Sequence, residues 1–271
     1  MTRTIVITGA AGRIGGHLRR ALRGVYPRIR CSDRVTPADL APGEDFVAAD
    51  LADTGAIEKL LDGADAVVHL GGISREDSWD AIRRSNIEGC YNLFEAARRM
   101  RVARVVFASS NHAVGFYPRQ RRIGVDAPVR PDSRYGVSKA FGEALAALYA
   151  YKHGLRVTCL RIGNFAERPA DRRRLSIWIA PDDLVQLVRI GLDHPDIRYE
   201  IFYGVSDNVA GWWDNAAAFR HGYRPRGHGD EFRDEALARQ QALPADPVGD
   251  WYSGGTYCSD EFEGGLARSP D

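Results

Sequence analysis

Tyr135-Gly136-Val137-Ser138-Lys139 places a phenol and an amine four residues apart. On a helix that spacing puts both side chains on one face. A tyrosine ordinarily ionises near pH ~10, too high for a base at neutral pH. A lysine cation beside it favours the phenolate, which makes a proton acceptor suited to a hydroxyl substrate. Ser110 stands upstream and can hydrogen-bond the same reacting oxygen. A lone Tyr-x-x-x-Lys pair is common surface decoration, so its meaning depends on context. Only three of the 37 basic residues are lysine (Lys59, Lys139 and Lys152), which makes Lys139 more informative.

A second group of residues supplies that context. Gly9-Ala10-Ala11-Gly12-Arg13-Ile14-Gly15 follows a short apolar run and opens an amphipathic one. Such a turn brings backbone N–H groups to a pyrophosphate at a helix N-terminus. By itself it is as easily a plain strand-to-helix turn. Asp33 closes the next apolar run, where an acid hydrogen-bonds the adenosine ribose diol and selects NAD. Arg13 and Arg34 argue the other way, since arginines hold a 2′-phosphate; Asp33 would repel that phosphate, so NAD is the expected cofactor. Asp50-Leu51 either flanks the adenine or caps the helix that begins at Thr54. Asn86 falls mid-helix, where it supports the helix or a water near Lys139. No His/Cys/Asp/Glu cluster has metal-ligand spacing, so no metal is expected.

These residues need a scaffold, and the first 160 or so positions provide one. Thr4–Thr8, Arg28–Ser32, Phe46–Ala49, Ala66–Leu70, Ala103–Ala108 and Arg156–Leu160 read as strands. Helical patterns separate them, including Gly15–Arg23, Thr54–Leu61, a long one from about Trp79 to Met100, and Ser133–His153. Continuous Val/Ile runs between helices predict an α/β fold: a Rossmann-type doubly wound parallel sheet, covered on both faces. The expected division is 1–164 for the NAD-binding domain and 165–271 for a small substrate-binding region and tail, not an independent domain. In that second part Asp182–Asp193, Trp212–His221 and Asp230–Gln241 read as helices. The tail from Pro244 reads as a wrapped arm or an oligomer contact.

Composition narrows the function classes. The 271 residues carry 37 basic and 36 acidic side chains, a formal charge of +1. No net field would attract a polyanion, which argues against nucleic acid and anionic membranes as partners. No apolar stretch is long enough to span a bilayer. The residues from Met1 to Thr8 lack the pattern of a signal peptide, so a cytoplasmic location is expected. The four cysteines include no C-x-x-C pair.

Thr8 to Gly15, Ser109-Ser110, Tyr135 and Lys139 together resemble the extended short-chain dehydrogenase/reductase family. Pro181-Asp182-Asp183 and Gly222-Tyr223-Arg224-Pro225 resemble its later motifs, so the likeness spans the chain. It implies Ser110, Tyr135 and Lys139 as catalytic, with Tyr135 the base and Lys139 also holding the nicotinamide ribose. It implies Gly9, Gly12, Arg13, Ile14, Asp33, Asp50, Leu51, Leu70, Gly71, Asn86, Ser109, Tyr135, Lys139 and Ile162 as cofactor-binding.

Longer strings narrow the likeness. His69-Leu70-Gly71-Gly72-Ile73-Ser74, Phe107 to His112, Arg161-Ile162-Gly163, Leu175 to Trp178 and Ala210 to Asn215 resemble the family's uronate dehydrogenases. Those enzymes oxidise C1 of galacturonate or glucuronate with NAD, giving an aldarolactone. The short region after the sheet suits such a small, free sugar acid. The likeness implies Ser74, Ser110, Asn111, His112, Tyr135, Asn164 and Arg173 as substrate-binding, Arg173 clamping the carboxylate. It also implies a homo-oligomer, joined through the helices around Trp79–Met100 and Ser133–His153. The chain departs from the pattern at Asn164, where serine is expected, and at Asp171-Arg172. A sugar epimerase or dehydratase, a dehydrogenase of another sugar acid, and a non-enzymatic nucleotide-binding protein are the alternatives.

Overall fold

The computed structural model describes residues 3–266; Met1, Thr2 and the last five residues of the expected tail lie outside them. In chain order the elements are β1 (Thr4–Thr8), α1 (Arg13–Leu22), β2 (Arg28–Asp33), β3 (Glu44–Ala48), α2 (Thr54–Leu61), β4 (Ala66–His69), α3 (Trp79–Ile82), α4 (Gly89–Arg99), β5 (Arg104–Ser110), α5 (Arg134–His153), β6 (Arg156–Ile162), β7 (Asn164–Phe165), α6 (Arg172–Ile177), β8 (Trp178–Ile179), α7 (Pro181–Asp193), β9 (Tyr199–Gly204), α8 (Ala216–Arg220), α9 (Arg233–Gln240), α10 (Pro247–Trp251) and α11 (Thr256–Ser259). Seven strands make one parallel sheet in the order β3-β2-β1-β4-β5-β6-β9, and β7 pairs with β8 alone. The chain winds outward from β1 to β3, then crosses back to begin β4 on the other side of β1. That reversal leaves a crevice above the carboxyl ends of β1 and β4, where folds of this type bind ligands.

Successive strand side chains point to opposite faces, so one strand feeds two cores. Ile5, Ile7 and Val68 pack with Leu18 and Leu22 of α1 and Leu187 and Leu192 of α7. Val6 and Val67 pack on the other face with Ile57 and Leu60 of α2, Leu93 and Phe94 of α4, and Tyr149 of α5. This double burial explains why β1 and β4 carry no polar alternation. Strand β9 comes from the second part of the chain yet extends the main sheet by pairing with β6.

Three expectations on elements are corrected. The long helix around Trp79–Met100 is interrupted by a π-helical segment, Arg83–Glu88, between α3 and α4. It is a device frequent at functional sites. The helix expected over Trp212–His221 shrinks to the five residues of α8. Tertiary pairing overrides the helical pattern there: Ile123 N donates to Trp212 O at 3.1 Å, Asp214 N donates to Ile123 O at 2.8 Å, and Trp213 stacks on Tyr203 at 4.9 Å. The start of the helix expected over Asp230–Gln241 is a 3-10 turn, Gly229–Phe232, before α9.

Candidate active site

A cleft of about 1020 Å³ opens at the topological reversal. At its floor Gly9 adopts φ +68°, and a Cβ there would lie 2.8 Å from the Leu70 carbonyl carbon. A Cβ on Gly15 would strike Gly9 O at 2.2 Å, so α1 can start hard against the turn only as glycine. The first turn of α1 has no acidic residue and no side-chain cap. Its N-terminal N–H groups are thus left for an anion. Gly9, Gly12, Arg13 and Ile14 line this end, and Leu70, Gly71 and Ile162 line the middle. Asp33 and Asp50-Leu51 line the far end. Asp33 accepts from Ala11 N at 3.0 Å and from Arg34 N at 2.7 Å, which pins its carboxylate at the cleft. The helix cap expected as one role for Asp50 belongs to Asp53, whose carboxylate accepts from Ala56 N at 3.0 Å. These features fit a dinucleotide: a bare helix N-terminus for the pyrophosphate and a fixed carboxylate for the ribose diol.

The catalytic candidates meet at the other end of the cleft. Helix α5 is started by two caps: Ser133 Oγ accepts from Gly136 N at 3.0 Å, and Glu76 accepts from Arg134 N and Tyr135 N. This sets Tyr135 and Lys139 facing the cleft beside Ser110. Lys139 Nζ donates to Ala108 O at 2.8 Å and lies 5.5 Å from the Tyr135 ring centre. Burial pushes the Tyr135 phenol up to about 12, and the hydrogen bond with Ser110 is what opposes it. Burial brings Lys139 down to about 8. The expected tuning of Tyr135 by Lys139 is therefore outweighed by desolvation in the ligand-free protein; Ser110 is the group that favours phenolate.

Two expected cofactor residues are not brought to the cleft. Ser109 points to the opposite face from Ser110, because strand side chains alternate. Its hydroxyl donates to Glu143 Oε1 at 2.6 Å, within a buried ion pair between Glu143 and Arg161 at 2.8 Å. Asn86 sits in the π-helical segment beneath the cleft. Its Oδ1 accepts from Ile73 N at 2.8 Å, and its Nδ2 donates to Ile73 O at 2.9 Å and Ser138 Oγ at 3.0 Å. It thus ties the loop after β4 to α5, one residue from Lys139, with both amide atoms engaged within the protein.

On the substrate side Ser74, Asn111 and His112 line the cleft beside Ser110 and Tyr135. Asn164 and Arg173 do not. Gly163 and Phe165 face the cleft, and Asn164 between them turns away, with Oδ1 buried and unpartnered. Arg173 lies behind Asn111. With the Asn111 amide turned to satisfy both its atoms, Oδ1 accepts from Arg173 Nη2 at 3.1 Å and Nδ2 donates to Ile162 O at 3.1 Å. Arg173 Nε also donates to Ser253 O at 2.8 Å. Burial and the neighbouring Arg174 and Arg119 lower its pKa to about 10, so it stays charged near neutrality. Among the described residues no carboxylate comes within ion-pair distance of it, whereas Arg174 pairs with Asp171.

The tail from Pro244, expected as a wrapped arm or an oligomer contact, folds back within the chain. Ser253 N donates to Tyr117 O at 2.9 Å and Gly254 N to Gly115 O at 2.9 Å, so the segment is strapped to the loop after β5. This places Tyr257 against His112, ring centres 3.9 Å apart. Nothing in the spacing of a Gly- and Asp-rich tail signals such a contact.

Thr8 Oγ1 accepts from Leu70 N and Gly71 N, leaving its O–H to donate to His69 Nδ1 at 2.8 Å. Buried His69 is held neutral, its pKa lowered by burial, with Lys139 adding to it, from 6.5 to about 3. The unfolded chain thus binds a proton below about 6.5 that the folded one refuses. This contribution to stability is complete above that pH and is lost as pH falls toward about 3. Thermal midpoints measured from pH 7 to 5, above the main carboxylate range, should fall in the wild type and fall less in His69→Asn. Equal slopes would remove His69 from this role.

A glycine-floored crevice with a serine, a tyrosine and a lysine at its head defines a nucleotide-binding α/β protein with a candidate proton-transfer site. The chain belongs to the NAD dependent epimerase/dehydratase family, whose sequence profile matches residues 5–183. It is 42% identical to a uronate dehydrogenase of Pseudomonas putida over 254 residues, 93% of this chain and 94% of that protein. It is 41% identical to a uronate dehydrogenase of Agrobacterium fabrum over 243 residues, 90% of this chain and 91% of that protein. Among solved structures, it is similar to uronate dehydrogenase from Agrobacterium tumefaciens, a tyrosine-to-alanine mutant complexed with NAD. The TM-score is 0.91 and the identity 39%, covering 96% of this chain and 98% of that one.

Proposed function

We propose that this chain oxidises a hexuronate, D-galacturonate or D-glucuronate, at C1 to the aldarolactone, with NAD as hydride acceptor. The observation that carries this reading is the charged, half-buried Arg173, which has no carboxylate partner among the described residues and lies behind Asn111, next to Ser110. A guanidinium kept from water without a counter-ion suits an anionic substrate. A neutral sugar would leave it uncompensated.

Residues 1–164 hold the cofactor and most of the substrate contacts, and 165–271 complete the substrate side with Arg173 and the C-terminal strap. NAD, when bound, accepts the hydride from C1. The N-terminus of α1 holds the pyrophosphate and Asp33 the adenosine ribose diol. Lys139 holds the nicotinamide ribose. Ser110 hydrogen-bonds the C1 oxygen and favours phenolate at Tyr135, which takes the C1 hydroxyl proton. Ser74, Asn111 and His112 orient the ring hydroxyls. Arg173 reaches the carboxylate through a change of partner from Asn111 to substrate, and Asn164, in the next layer, shapes the wall behind Phe165. The gain comes from positioning and from a proton acceptor shielded from water. The same reading carries a cytoplasmic homo-oligomer joined through α4 and α5, whose outer faces expose Tyr91, Leu148 and Tyr151.

The test is NADH absorbance on mixing the protein with NAD and galacturonate or glucuronate, against NADP, galactose and glucose. NADH formation with uronates and little with the neutral sugars is expected. NAD bound but never released as NADH would instead favour an epimerase or dehydratase.

A further inference from the structure

His112 and Asp132 make a contact that the proton and hydride transfers above do not use. His112 Nδ1 lies 2.7 Å from Asp132 Oδ2, and the Asp132 side chain is fully buried. Asp132 Oδ1 accepts from Ser133 Oγ at 2.8 Å, and Asp132 N donates to His112 O at 3.3 Å. Three segments close around this carboxylate as glycines. A Cβ on Gly115, Gly136 or Gly254 would come within 1.8, 3.2 or 2.0 Å of its oxygens. The loop after β5, the start of α5 and the C-terminal strap are thus all packed against one buried anion. Burying a carboxylate is costly unless it is fully hydrogen-bonded, and here both oxygens accept.

A carboxylate can only accept, so the proton between the two groups sits on His112 Nδ1. In the neutral imidazole Nε2 then carries a lone pair. The ring cannot swing away from this arrangement. Tyr257 stacks on it with planes at 26°, and Tyr135 meets its edge at 5.8 Å. His112 also lines the cleft next to Ser110 and Tyr135.

We infer that Asp132 is a positioning residue that fixes His112 as the Nδ1–H tautomer, so that Nε2 accepts a hydrogen bond from a sugar hydroxyl next to the reacting carbon. This rests on the reading of the site as one that oxidises a sugar. The substrate must present an O–H at that place. A deoxy or O-methyl analogue loses the bond. Asp132→Asn keeps the size and reverses the polarity. With its oxygen still accepting from the Ser133 hydroxyl, its amide N–H donates to Nδ1, which moves the proton to Nε2 and turns an acceptor toward the sugar into a donor.

The test combines ¹⁵N NMR of the His112 ring in the ligand-free protein, at a pH where the ring is neutral, with kinetics of Asp132→Asn, His112→Ala and the double variant. The wild-type ring should be protonated on Nδ1 and the Asn variant on Nε2. Asp132→Asn should raise the uronate KM roughly tenfold, the scale of one misdirected buried hydrogen bond, and leave the NAD KM unchanged. The double variant should be no worse than His112→Ala alone, since Asp132 acts through the ring. A wild-type ring protonated on Nε2, or additive losses in the double variant, would overturn the inference. If Asp132→Asn fails to fold among the three glycines, the wild-type spectrum still decides it. Absence of NADH from uronates in the wild type would sink the reading of the site instead, and the spectrum would be unaffected.

Discussion

Tyr135→Phe is expected to lower turnover of uronate by about 10²–10⁴-fold, the usual contribution of a positioned proton acceptor, while NAD binding is retained. Phenylalanine keeps the ring that packs at the edge of His112. It removes only the hydroxyl that Ser110 bonds, so the thermal midpoint should move little. Steady-state rates and NAD titration by fluorescence check this together. Most of the activity surviving would transfer the base to another residue, His112 first. The pH profile gives a second check. With Tyr135 at about 12 and Lys139 at about 8, the productive pair of phenolate and ammonium is a minor form. Its population rises with pH until Lys139 begins to lose its proton, then levels as the two titrations cancel. The value of kcat/KM should therefore climb up to about pH 8 and flatten above it. In Lys139→Met the break near 8 should vanish, because its cause is the lysine. A break that persists there would assign it elsewhere.

Arg173→Ala should raise the uronate KM about 30-fold or more, as truncating one partner of a desolvated charge pair costs about 2–5 kcal/mol. The KM for NAD should not follow. Any residual rate with galactose should be unchanged, because a neutral sugar has no carboxylate to lose. Arg173→Lys should fall between, since an ammonium keeps the charge and loses the two-pronged geometry. The stability readout carries its own sign. Burial lowers the pKa of Arg173, so its charge disfavours the folded state. Removing it gives up the bonds to Ser253 O and Asn111 but also that penalty, and the thermal midpoint is expected to hold or rise. An unchanged uronate KM would move the clamp to a neighbour, with Arg172 the exposed candidate.

Much of the site was legible because it depends on local chemistry. A glycine turn between an apolar run and a helix, an acid at the end of the next strand, and Tyr and Lys one turn apart each need only a few neighbouring residues. Ser110 could be read for the same reason, at a strand end. Where the expectations failed, the cause was longer in range. Ser109 shares a motif with Ser110 but faces α5, because adjacent strand residues point oppositely. Asn86 was expected mid-helix near Lys139, and at the cofactor by the family likeness. The π-helical segment turned it under Ile73 instead.

The sequence by itself determined the parallel α/β sheet and where its cofactor turn lies. Unbroken Val/Ile strands pack between two layers of helix, and the glycine turn gains its meaning from Asp33 at the end of the next strand. The tertiary structure alone decided the substrate end. Asp132, Arg173, Ser253 and Tyr257 are separated by up to about 125 residues of chain yet converge on the loop after β5, the strap through its bonds to Tyr117 and Gly115, Asp132 through His112 and Arg173 through Asn111. Tertiary structure also reversed the balance at Tyr135, where burial outweighs a nearby cation. How deeply a side chain is buried is a property of the packed whole, and no spacing of residues along the chain encodes it.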